Sequence, residues 1–102
     1  MWLNPNEEKI IGPFYNFVFD NENKLIELEL NDGATVVVEF FSEAESDNDL
    51  EPDDKGYEEF REISLKITKI LKDDTNKYKI GDVIDINYHC VPNSYKVYKN
   101  NN

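Results

Sequence analysis

The clearest periodicity in the chain lies between residues 24 and 38. Ile26, Leu28 and Leu30 alternate with Glu27 and Glu29, the period-two pattern of a strand with one buried and one wet face. After Asn31, Asp32 and Gly33, residues 34–41 (ATVVVEFF) are apolar on most of both faces and read as a partner strand. Side chains choose the register. A two-residue turn at Asp32-Gly33 opposes Ile26 to Glu39 and sets a carboxylate on the apolar face. A three-residue loop instead opposes Leu30 to Ala34, Leu28 to Val36 and Ile26 to Val38, which keeps the apolar set together and predicts a positive φ at Gly33.

The rest of the chain is punctuated in the same way. Residues 4–7 (NPNE) carry helix-start signals, with Asn4 as cap and Pro5 at the first helical position, and Gly12-Pro13 stops that turn. Residues 14–19 (FYNFVF), aromatic and β-branched on both faces, predict a central strand. Residues 57–71 fit two periods. Phe60, Ile63, Ile67, Ile70 and Leu71 share a helical face, but Leu65 fits only the strand alternation of Ile63, Leu65 and Ile67. This favours a strand from Ile63 onward, after a helical turn around residues 56–61. Residues 83–91 predict a strand with Ile84, Ile86, Tyr88 and Cys90 on one face and Asp85, Asn87 and His89 on the other, and a short last strand follows at residues 95–98. Trp2 is expected to close one end of the core, and residues 99–102 to fray. Six short strands joined by tight turns predict one mostly β domain over residues 1–102, a small antiparallel barrel or sandwich with one or two short helical turns.

Charge changes the picture more than composition does. The formal net charge is −11, and residues 42–62 (SEAESDNDLEPDDKGYEEFRE) hold ten acids against Lys55 and Arg61. Residues 63–102 carry seven lysines against four acids, so the chain is a dipole in sequence. Carboxylates so concentrated cannot be buried unpaired, and they predict a long acidic loop in solvent or against a partner. Nucleic acid and anionic membranes attract Lys and Arg clusters, so neither is the expected ligand; a basic protein is. Within the loop, Tyr57 and Phe60 among Glu58, Glu59 and Glu62 suggest an apolar anchor inside a charged interface, or rings that cap the core beneath it.

Signals for chemistry are sparse. Cys90 and His89 are adjacent on an expected strand and point to opposite faces, so they form no dyad; Cys90 reads as a small buried apolar side chain and His89 as a surface residue. One Cys and one His are too few for a zinc site. Asp47, Asp49, Glu51, Asp53 and Glu58 fall at EF-hand-like spacings, but Pro52 stands where that loop needs glycine, and no helix leads in. The four glycines are isolated, which excludes a glycine-rich phosphate loop. The expectation is therefore a protein without catalytic residues, metal or cofactor. A single cysteine suits a reducing compartment, and no secretory or membrane-spanning pattern is visible, so the expected address is the cytoplasm.

In size and charge the chain resembles the small acidic inhibitors found among phage-encoded anti-CRISPR proteins and other DNA mimics, a resemblance of composition that transfers no site residues. It implies a binding protein whose acidic surface occupies the basic groove of a nucleic-acid-handling partner. The candidate contact residues are Asp47, Asp49, Glu51, Asp53, Asp54, Tyr57, Glu58, Glu59 and Phe60. The alternatives are an immunity protein neutralising a basic toxin such as a nuclease, and a structural β-domain whose acidity supplies solubility.

Overall fold

The computed structural model describes Leu3 and residues 6–99. The expectations for Trp2, Asn4, Pro5 and the terminal asparagines lie outside the described residues. One helix, α1 (Glu7–Asp20), precedes five strands: β1 (Ile26–Glu29), β2 (Thr35–Asp47), β3 (Glu59–Lys72), β4 (Val83–Ile86) and β5 (Ser94–Val97). They form one antiparallel sheet in the order β4-β3-β2-β1-β5, open rather than closed into a barrel. The mostly β class thus holds, with five strands and a helix in place of six strands.

The expected strand at residues 14–19 is the second half of α1. Ile11, Phe14, Tyr15 and Val18 follow the i, i+3, i+4, i+7 spacing of one helical face, and each is at most 1% exposed. Pro13 lies inside the helix on its exposed side. An interior proline costs about 3 kcal/mol, whereas each large apolar side chain fully buried contributes about 1.5 to 3 kcal/mol, so four of them outweigh the break. Glu7 and Glu8 in the first turn complement the positive end of the helix dipole.

The predicted hairpin is borne out in register. Leu28 opposes Val36 and Ile26 opposes Val38. The Leu30 N–H donates to the Ala34 carbonyl at 2.8 Å, the Gly33 N–H to the Leu30 carbonyl at 2.9 Å, and Gly33 has φ +91°. The core lies between α1 and the sheet face that carries Ile26, Leu28, Val36, Val38, Ile63, Leu65 and Ile67.

Three boundaries differ from the sequence reading. Strand β3 begins at Glu59, so the stretch around residues 56–61 makes no helical turn. Strand β4 ends at Ile86, and Tyr88 and Cys90 sit in a turn instead of continuing its face: the Cys90 N–H donates to the Asn87 carbonyl at 3.0 Å, and the Asn87 side chain accepts the His89 N–H at 2.8 Å. Strands β2 and β3 also run into the acidic stretch from both sides, leaving residues 48–58 as the connecting loop. At about 3.3 Å per residue these two strands span most of the 53 Å long axis of the molecule.

Candidate protein-binding surface

Strand β1 pairs with β2 only as far as Val38, and β4 pairs with β3 only from Ile63 to Lys66. Beyond these points β2 and β3 continue as a two-stranded arm, with Ala44 to Asp47 opposite Glu62 to Glu59. This arm carries the acidic sequence. Strand β3 has Glu59 and Glu62 at the arm end and Lys66, Lys69 and Lys72 at the other, so the sequence dipole becomes a dipole along the hairpin.

The loop at the tip is closed by its own short polar side chains. Asn48 is its keystone: its N–H donates to the Glu58 carbonyl at 3.3 Å, its side-chain amide donates to the Gly56 carbonyl at 2.8 Å, and its side-chain oxygen accepts the N–H groups of Glu58 and Leu50 at 3.3 and 3.4 Å. The Asp47 carboxylate accepts the Asp49 N–H at 2.8 Å, and that of Asp54 accepts the Glu51 N–H at 3.1 Å. Asp49 takes a positive φ of 66°, which an aspartate tolerates better than most residues.

The nine candidate residues divide into three sets. Asp47, Asp49, Glu51, Asp53, Asp54 and Glu59 are exposed. Among the described residues, the carboxylates of Asp49, Glu51, Asp53 and Glu59 meet no hydrogen-bond or ion-pair partner. Tyr57 is half-buried; desolvation, then Glu59 and Asp47, raise its phenol pKa. Phe60 and Glu58 are engaged beneath the loop. Phe60 is 6% exposed and meets the rings of Tyr88 and His89 edge-on, with centroids at 5.9 and 5.3 Å. Glu58 accepts the Tyr88 hydroxyl and meets His89 Nε2, both at 2.6 Å, while Asn87 donates to Glu62 at 3.1 Å.

The 87–90 turn is therefore the foot of the arm, a role the strand reading of residues 83–91 concealed. His89 is exposed as expected but held by Glu58, and Cys90 is only half-buried, with its thiol 3.7 Å from the Asp85 carbonyl. The apolar groups the arm and its root offer to solvent are others: Leu50 in the loop, 42% exposed, and Phe41 at a bulge in β2, 58% exposed. An apolar residue inside a polar run was the available signal for Leu50; Phe41 ends an apolar run, and only the bulge turns it to solvent.

Among the described residues no three His, Cys, Asp or Glu side chains are grouped as metal ligands, and no helix is long and apolar enough to cross a membrane. What the arm presents is charge, a few apolar groups and backbone, the components of a protein interface. The description "Cognate immunity protein YxxD" matches residues 6–94, which include α1, strands β1 to β4 and the arm, and end at the first residue of β5. The chain belongs to this family. A cognate immunity protein has a toxin as its partner, so the partner is a protein. The immunity reading is thereby favoured over the phage-inhibitor reading. No curated protein and no solved structure matches the chain.

Proposed function

We propose that this immunity protein neutralises its toxin by pressing the acidic arm against a basic surface of the toxin. The observation that carries the reading is the placement of the unpartnered carboxylates of Asp49, Glu51, Asp53 and Glu59 on an arm that neither β1 nor β4 flanks. Exposed carboxylates raise the encounter rate with a cationic partner. A nuclease, whose substrate groove gathers Lys and Arg to bind phosphates, is the toxin class with that chemistry. Glu58 and Phe60 hold the arm in place, while Tyr57 and Leu50 supply apolar contact near the tip.

The test pairs growth rescue by co-expression with the toxin and surface-plasmon kinetics at low and high salt. Changing Asp47, Asp49, Asp53 and Asp54 together to Asn keeps an acceptor oxygen for the loop but removes four charges. This should slow association by about ten-fold or more at low salt and flatten its salt dependence, while one change alone, worth about 0.2 to 1 kcal/mol, should matter little. Tyr57→Ala should instead speed dissociation. An unchanged on-rate and salt slope in the quadruple variant would refute the reading.

A further inference from the structure

The arm has two backbone edges, and they are treated differently. The Asn48 N–H bonds the Glu58 carbonyl across the hairpin, so counting back by two, the backbone of Ser46, Ala44 and Ser42 faces β3, while that of Glu43, Glu45 and Asp47 faces away from it. On β3 the opposite residue of the pair with Glu45 is Arg61, whose backbone faces the other edge. That edge is taken: Glu7 accepts the Arg61 N–H at 3.0 Å, and the Tyr15 hydroxyl donates to the Arg61 carbonyl at 2.6 Å. No described residue bonds the outward backbone of Glu43, Glu45 or Asp47, because β1 stops opposite Val38.

We infer that this open edge of β2 receives an extended cationic segment of the toxin as an added strand, an inference that rests on the toxin-binding reading above. Strand addition at a sheet edge takes its affinity from main-chain hydrogen bonds and its selectivity from alternate side chains. Here the alternation is explicit. Glu43, Glu45 and Asp47 project on the face that also carries Ile63 and Arg61, and Ser42, Ala44 and Ser46 project on the other. A guest strand with Lys or Arg at every second position would set those cations against the carboxylates and lay its intervening side chains over small residues. A hollow lined by Leu3, Glu43, Ala44, Glu45 and Arg61 adjoins this edge and has the charge to take a cationic side chain. The Arg61–Glu43 ion pair leaves Glu45 as the hollow's open acid. A second copy of this chain is the wrong occupant, because pairing two such edges brings residues 39–47, with four acids and no base, against their like.

The probe is a synthetic peptide of alternating Lys and Thr, compared with a block-ordered peptide of the same composition, each at millimolar concentration, with amide hydrogen exchange read by NMR. The expected result is protection of the Glu43, Glu45 and Asp47 amides by the alternating peptide and at least ten-fold weaker binding of the block-ordered one. Glu45→Pro, which removes an outward donor, should abolish that protection; Glu45→Gln, which removes only the charge, should retain part of it. Equal affinity for the two peptides, no protection, or protection of the free protein that grows with its own concentration would overturn the inference. Growth rescue by co-expression is read separately, so failure here leaves the proposed function standing and failure there does not mimic this result.

Discussion

Tyr15→Phe removes a single hydroxyl from the grip that α1 exerts on β3. That hydroxyl donates to the Arg61 carbonyl at 2.6 Å and lies 3.3 Å from the Ile86 carbonyl, and the residue is 1% exposed. Burial first, then the nearby Glu7 carboxylate, push the phenol well above its ordinary 10.0, so it remains a protonated donor throughout the neutral range. Glu7, fully buried, closes the other half of the grip by accepting the N–H groups of Arg61 and Leu3 at 3.0 and 3.2 Å. Leaving a buried polar group without its partner costs about 1 to 3 kcal/mol, and about 1 kcal/mol lowers the melting midpoint of a domain this size by roughly 4 to 8 °C. Tyr15→Phe should therefore lower the midpoint by about 4 °C or more. Glu7→Gln, which turns one acceptor into a donor facing an N–H, should do at least as much. Because the two side chains hold the N–H and the carbonyl of the same residue, Arg61, the double variant should lose less than the sum of the singles. Thermal melts followed by circular dichroism measure all three. A Tyr15→Phe midpoint equal to that of the parent protein, or strict additivity, would refute the claim that the helix is fixed through Arg61.

Gly33→Ala should destabilise by about 1 kcal/mol, because no atom lies within 4 Å of the added carbon and the positive φ alone opposes it; a clean melt with an unchanged midpoint counts against this. The Asp32 carboxylate accepts the Tyr78 hydroxyl at 2.7 Å and the Ala34 N–H at 3.0 Å, and these bonds, with Lys77 nearby, hold its pKa below 3.8. A pKa lowered by folding gives stability that is present above about pH 4 and lost as the pH falls further. Burial, then Asp32, push the Tyr78 phenol up to about 12, so its contribution is present below pH 10 and lost between 10 and about 12. Asp32→Asn should flatten the acid limb of a midpoint-against-pH curve, and unaltered slopes there would exclude the contact as a contributor.

Local rules were enough for part of this molecule. The register of β1 on β2 followed from alternation and from Gly33, since a one-residue slip would carry a carboxylate onto the buried face. The strand at Ile63 followed from Leu65, which only a period of two buries. The charge of residues 42–62 marked the surface later traced to the arm, and the immunity reading followed from that charge as an alternative. The rings of residues 14–19 suit either period, so a local reading makes them a strand, and the choice of helix depends on a helical face finding a sheet face to cover. The outcome was set by burial of Ile11, Phe14, Tyr15 and Val18 together, a quantity no local window contains. The turn at 87–90 likewise depended on a carboxylate 30 residues away, Glu58, to hold Tyr88. The open edge of β2 is purely tertiary: it exists because β1 ends opposite Val38 while β2 runs on to Asp47, and because Glu7 and Tyr15 occupy the edge of β3 and not this one. Composition fixes what charge a strand carries, but whether its backbone is satisfied is decided only by which neighbours reach it.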